Sequence, residues 1–320
     1  MSSRQAAGLA RARPGLRRGP GRRAGSQLHL TPYLLLIPAA ALYGIFTIYP
    51  IVRQAEISFF NWHVEPGAVN PFVGWANYTT IFQDPEIRTA AFNTLLYIVI
   101  TVPVQMLVGL AAAAFLTDRL PARTFWRALI FIPVLTSWVV VSYLFAYLFN
   151  SSRGGLANEL LSLLAGHAVQ IDWLQQTWTA NGVIWLLGIW KGIGWSFVLF
   201  LAALDVIPHD PLEAARVDGA GEFRIWRKIV LPEIRATTTF VLVLLVIGGA
   251  QVFQSVYLIT SVDGVPGNPY GSTNVLFTYA YYQAFSVFSF GYAAAIATML
   301  ALVLISFSVV RVQLLRRSES

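Results

Sequence analysis

Apolar residues gather into six long runs, at about 33–52, 91–116, 125–149, 182–204, 236–260 and 287–310. Each is long enough, as a helix, to cross the roughly 30 Å of bilayer hydrocarbon. The fold class expected is therefore an all-α membrane protein with six transmembrane helices. Composition agrees: 56% hydrophobic, 12% charged and a mean hydropathy of +0.61 exceed what one water-soluble core can use. Six crossings place both termini on one side. Of the 22 Lys and Arg residues, 18 fall on that side, three (Arg53, Arg88, Arg153) fall opposite, and Lys191 lies inside a run. Positive charge stays in the cytoplasm, so cytoplasmic N- and C-termini are expected, and so is a cytoplasmic 205–235 loop between the fourth and fifth helices.

The net charge of +7 is local, because seven arginines (Arg4, Arg11, Arg13, Arg17, Arg18, Arg22, Arg23) lie in a tail without a single acid. Residues 1–30 are read as a disordered basic cytoplasmic tail, 31–316 as the membrane domain and 317–320 as a C-terminal tail. The first tail serves as a cytoplasmic retention signal or as a contact for anionic lipid or a partner. The Arg22-Arg23 pair resembles a twin-arginine export signal, but the apolar run behind it is long enough to stay as an uncleaved span. On the far side, Trp62, Trp75, Trp173 and Trp178 are interfacial anchors or contacts for an external partner. The triplet Asn77-Tyr78-Thr79 fits a glycosylation sequon that chance also produces.

Several chemistries are excluded. With no cysteine there is no disulfide, thiolate metal site or thiol redox switch. Lys191 and Lys228 are the only lysines and neither follows a glycine, so the chain has no phosphate-cradling G-x-x-x-x-G-K-[ST] loop. His29, His63, His167 and His209 lack ligand spacing. No Asp or Glu lies inside the six runs, which disfavours an ion-coupled secondary carrier, the alternative function for such a chain.

The 205–235 loop stands apart, holding 11 of the chain's 37 charges in 31 positions. Asp210-Pro211-Leu212-Glu213 predicts a helix beginning at 211, capped by Asp210, with Gly219 closing it in the left-handed conformation. A second helical stretch from Glu222 sets Phe223, Trp226 and Val230 on one face until Pro232 disrupts it. The product is a short helix-turn-helix, packed on its own bundle or inserted into another protein's groove.

Glu213-Ala214-Ala215, then Gly219, then Ile229-x-Leu231-Pro232 at fixed spacing resembles the EAA signature of the membrane subunits of ATP-binding-cassette importers. Further blocks are similar to the binding-protein-dependent sugar permeases of the maltose and glycerol-phosphate type: TPYLLLIP (31–38), FVGWANY (72–78), FNTL (92–95), RALIFIP (127–133), WKG (190–192), DGA (218–220), QVF (251–253) and FGYA (290–293). Trp226 and Gly221 depart from the Phe and Ser usual there, and SVDGVPGNP enlarges a loop. The resemblance implies a non-catalytic permease subunit in a bacterial cell membrane, translocating a sugar or polyol. It implies as partners a second permease, two ATPase subunits that use ATP and Mg, and an extracytoplasmic binding protein, with no nucleic acid and no cofactor on this chain. It further implies that Glu213, Ala214, Ala215, Asp218, Gly219, Ile229, Leu231 and Pro232 couple to an ATPase cleft.

For the solute pathway, Lys191 in the middle of the fourth run pairs with protein or faces solute. Gly188-x-x-x-Gly192 marks the same region for close helix packing. Gln251, Gln254 and Tyr257 share about 120° of a continuous helix and serve interhelical or solute hydrogen bonds. Trp190, Trp195 and Phe253 are candidate stacking surfaces for sugar C–H faces.

Overall fold

Apolar runs become helices here because a helix satisfies its backbone internally where lipid offers no partner. A computed structural model describes residues 30–317 apart from 66, 118–121, 152–154 and 263. The basic tail expected over 1–30 lies, but for Leu30, outside the described residues, as do 318–320. Five helices are long and apolar enough to span a membrane, or six if one bent pair counts as a single crossing. Among the described residues there is no strand, only isolated bridges pairing Phe60 with Phe72 and Val262 with Val265.

The chain divides into two compact units, Met1–Pro50 and Ile51–Ser320. The first holds α1 (Leu30–Tyr43) and a π turn, Gly44–Ile48, after which α2 (Tyr49–Ile57) carries the chain into the second. There follow α3 (Ala76–Gln83), α4 (Pro85–Thr117), α5 (Arg123–Leu135), α6 (Trp138–Leu148), α7 (Leu156–Ala165) and α8 (Thr177–Leu204). The hairpin comprises α9 (His209–Val217), α10 (Glu222–Ile225), a π turn at Trp226–Val230 and α11 (Leu231–Glu233). The chain ends with α12 (Arg235–Ala250), α13 (Gln254–Thr260), α14 (Leu276–Phe285) and α15 (Phe290–Arg317).

The helices overrun or fall short of the expected runs at several ends, α8 beginning at Thr177 and α15 reaching Arg317 among them, and three departures change the packing most. α4 starts six residues before the run predicted at 91, because Asp84 Oδ1 caps the Glu86 N–H at 2.8 Å and Pro85 occupies the first position. The run expected at 125–149 is broken: α5 and α6 meet at 92°. Thr136 and Ser137 are extended there, three residues after Pro133. The run expected at 236–260 is interrupted at 251–253, where Phe253 leaves helical geometry.

α4 and α8 form the central pair of the second unit, and small residues set their separation. A methyl group at Gly188 would overlap the Tyr97 hydroxyl, one at Gly192 the Gln105 amide, and one at Gly109 would meet Ser196. Gln105 Nε2 then donates to the Gly188 carbonyl at 3.1 Å. The close packing read from Gly188-x-x-x-Gly192 is present. Around this pair Phe197, Phe200, Leu204, Ala113 and Leu116 form a core that continues into the hairpin through Ile207, Ile225, Val230 and Ile234.

Candidate functional site

Along α4, Asn93, Tyr97, Thr101 and Gln105 recur every fourth residue, all buried. Four residues advance about 400°, so such a stripe keeps to one face, here the face toward α8. Asn93 Nδ2 is spent holding the Ser272 and Asn274 carbonyls at 2.7 and 2.9 Å. Tyr97, Thr101 and Gln105 instead line a cavity of about 380 Å³ bounded also by α8, α12 and the two broken helices.

Lys191 explains how one of those breaks persists. It is 4% exposed, and its Nζ donates to the Pro133 carbonyl at 2.9 Å and to the Thr136 carbonyl at 2.6 Å, with Thr136 Oγ1 at 3.4 Å. It also lies 4.8 Å from the centre of the Trp138 ring. The ammonium thus sits at the carbonyl end of α5, where the backbone dipoles leave negative charge, and satisfies acceptors that the bend has freed. Thr136 adds a bond from its hydroxyl to the Pro133 carbonyl at 2.6 Å.

The cavity wall joins two indoles, Trp138 and Trp195, to the amides of Gln105, Gln251 and Gln254 and the hydroxyls of Tyr97, Thr101, Thr136 and Ser255. Thr101 Oγ1 and Ser255 Oγ are buried there without a hydrogen-bond partner among the described residues. No carboxylate of the described residues lines it. The Lys191 ammonium also reaches this wall but bonds the Pro133 and Thr136 carbonyls, and the remaining surface offers neutral donors and acceptors between aromatic faces, which suits a hydroxyl-rich solute.

Of the seven pathway candidates read from sequence, Lys191, Trp195, Gln251 and Gln254 meet at this cavity and three do not line it. Trp190 packs against Phe145, with ring centres 6.1 Å apart. Phe253 stacks on Tyr257 at 5.2 Å, and both join Tyr281 in a separate aromatic cluster. The common face expected for Gln251, Gln254 and Tyr257 required an unbroken helix, and the interruption at 251–253 removes it. The α4 stripe escaped the sequence reading, although its four-residue spacing carried the signal.

In the hairpin, α9 begins at His209, two residues before the start predicted at 211, and no side chain caps it. Pro208 is extended before it, and Pro211 sits within the first turn, where N–H groups have no intrahelical acceptor. Its far end is as expected. Gly219 has φ +78°. The Ala220 N–H reaches the Ala215 carbonyl at 2.9 Å and the Gly219 N–H reaches that of Arg216 at 3.0 Å, a Schellman closure. Arg216 bridges to Glu222 across the turn at 3.1 Å.

The second arm differs from its predicted face. Ile225 and Val230 are buried, Trp226 is half-buried and Phe223 is exposed. A π turn separates Ile225 from Val230, with the Leu231 N–H bonded to the Trp226 carbonyl, so residues five apart share a face instead of three or four. Both π turns stop two residues before a proline, Pro50 and Pro232. A proline ring crowds the carbonyl four residues earlier and supplies no N–H, and a widened turn relieves both.

Of the hairpin residues singled out by sequence, Glu213, Ala214, Asp218, Gly219, Leu231 and Pro232 are exposed, while Ala215 and Ile229 turn inward against the core. Val217 and Phe223 extend the outward surface. At the root, Asp205 accepts from Arg123 at 3.1 Å and Arg127 at 3.4 Å, tying α8 to α5. The sequon asparagine serves local structure, since Asn77 Nδ2 donates to the Ser58 and Phe60 carbonyls at 2.8 and 3.0 Å.

Residues 85–318 match the family described as the binding-protein-dependent transport system inner membrane component. The chain is 34% identical over 284 residues to the arabinooligosaccharides transport system permease protein of Bacillus subtilis (strain 168), covering 88% of each. It is 31% identical over 292 residues to the sulfoquinovosyl glycerol transport system permease protein of Agrobacterium fabrum, covering 91% of this chain and 92% of that one. A solved bacterial ABC transporter involved in the import of the acidic polysaccharide alginate contains a chain of the same fold. It aligns at a TM-score of 0.76 and 22% identity over 90% of this chain and 95% of that one.

Proposed function

Because the chain belongs to the inner membrane components of binding-protein-dependent transport systems, we propose that it carries a sugar, an oligosaccharide or polyol derivative, through the α4–α8–α12 cavity. The observation that carries this reading is the chemistry of the cavity wall: two indoles, three side-chain amides, several hydroxyls, an ammonium already bonded to backbone carbonyls and, among the described residues, no carboxylate around about 380 Å³. The names of two relatives, for arabinooligosaccharides and sulfoquinovosyl glycerol, support a carbohydrate.

In this reading the hairpin and both termini face the cytoplasm, as the charge asymmetry supports. The hairpin's outward residues, Glu213, Ala214, Asp218 and Gly219, dock on one of two separate ATPase subunits, which bind ATP and Mg. A second permease completes the pathway, and a binding protein delivers solute on the opposite face. Closure of the ATPases moves the hairpin, which shares a core with α4 and α8 and thereby opens the cavity alternately to each side.

Reconstitution tests the proposal. Sugar uptake into vesicles bearing the complete complex should require both internal ATP and loaded binding protein. Uptake by this chain alone, driven by an ion gradient, would establish a secondary carrier instead.

A further inference from the structure

α7 displays an apolar stripe that nothing among the described residues covers. Leu156, Leu160, Leu163 and Leu164 are all exposed, the last two at 79% and 81%. With about 100° between successive residues, the four fall within an arc of about 100°. The opposite side is tied down. Asn158 accepts from the Trp173 indole at 2.8 Å and donates to the Ile171 carbonyl at 3.1 Å, while Ser162 accepts the Val169 N–H at 2.9 Å. The stripe is therefore held in a fixed direction by bonds on its far face.

What covers it follows from its place in the chain. Residues 149–155 join α7 to α6, and 166–176 join it to α8, a candidate span. Next to α7, α6 carries exposed Tyr147 near its end, with exposed Tyr143 and Leu144 one turn further back, and α8 carries exposed Trp178 in its first turn. Tyrosine and tryptophan at span ends mark the headgroup level. The leucine stripe thus continues an apolar surface that a membrane subunit turns toward lipid. Ten residues reach only about 15 Å, half the hydrocarbon thickness, so α7 cannot cross by itself, and its exposed stripe suits a helix lying along the surface. It contains no Lys or Arg, so its attraction to the bilayer comes from apolar area without help from anionic headgroups.

We infer that α7 is an interfacial helix whose leucines are immersed in the bilayer surface on the side opposite the hairpin. It acts as a float that fixes the height of the α6–α8 connection. The partner is the lipid surface itself, and the inference rests on the membrane reading of the chain but not on its solute.

The absence of cysteine allows single labels. Nitroxides at Leu160→Cys, Leu164→Cys and, as a reference, exposed His167→Cys would be read in the complete transporter in phosphatidylcholine bilayers, with and without phosphatidylglycerol. The two leucine sites should show a several-fold higher ratio of oxygen to water-soluble nickel accessibility than His167, unchanged by the anionic lipid. Equal ratios at all three sites would overturn the inference, as would exclusion of both reagents from the leucine sites, which would mean a protein covers the stripe. All of these side chains project outward, so labelling removes little packing, and Leu163→Cys repeats the measurement independently.

Discussion

Lys191 and Gly219 show how much single residues decide. The Lys191 ammonium bonds two carbonyls that the α5–α6 bend leaves open. Lys191→Met keeps the apolar stem but strands both acceptors, at a cost of about 1–3 kcal/mol each. The purified subunit should unfold at clearly lower temperature, and an unchanged transition would mean the bend is held elsewhere. Gly219 is a different case, since a Cβ there meets nothing within 4 Å and only its φ of +78° resists substitution. Gly219→Ala should cost about 1–2 kcal/mol of local strain, leave membrane insertion intact and lower ATP-driven uptake. Uptake equal to the parent, at equal abundance, would show that the left-handed closure does not matter to coupling. The glycine was legible in the sequence because it stands alone after a short polar helix; the partners of Lys191 were not, because they lie 58 and 55 positions away.

Among the elements, those whose geometry depends only on neighbours in sequence were the readable ones. Apolar length announced the spans, and Gly219 announced the end of α9. The bend at Thr136-Ser137 was not readable from its own run, because Lys191 on another helix satisfies the carbonyls it frees. The π turns, by contrast, had a local signal, the prolines two residues behind them, that apolar length passed over. The start of α4 is a similar case, since Asp84-Pro85 was a local signal that the apolar count overrode. Asp84 also links elements, accepting from Tyr279 at 2.8 Å and Tyr292 at 2.7 Å and so tying α4 to α14 and α15. Partial burial pushes its carboxyl up, but the Tyr292 and Tyr279 hydroxyls and the Glu86 and Ile87 N–H groups outweigh it and hold the group below its ordinary 3.8. A folded value below the unfolded one adds stability that is full above about pH 4 and is lost as pH falls through the folded value. Acid titration of thermal stability should show that loss at higher pH in Tyr292→Phe than in the parent, and coincident curves would contradict the link. In the hairpin Glu213 is exposed, and the proposed function puts it on the face that docks. Glu213→Lys should abolish co-purification of the ATPase without affecting insertion; retained co-purification would remove Glu213 from that face.

The whole molecule joins two regions that sequence treated separately. The cavity and the hairpin share α8, which carries Lys191 and Trp195 in its middle and meets Asp205 at its end, where Arg123 and Arg127 from the first half of α5 bind that carboxylate. Lys191 holds the far end of the same α5, so a push on the hairpin reaches the cavity wall through two helices pinned together at both ends. The central claim is that the outward face of α9 is what an ATPase pushes. Its most direct measurement is photo-crosslinking from single cysteines at Ala214 and Ala215 in the complete, transporting complex. Ala214 is exposed and Ala215 packs inward, so an adduct with the ATPase is expected from Ala214→Cys and none from Ala215→Cys. No adduct from Ala214→Cys, or equal adducts from both, would contradict the claim.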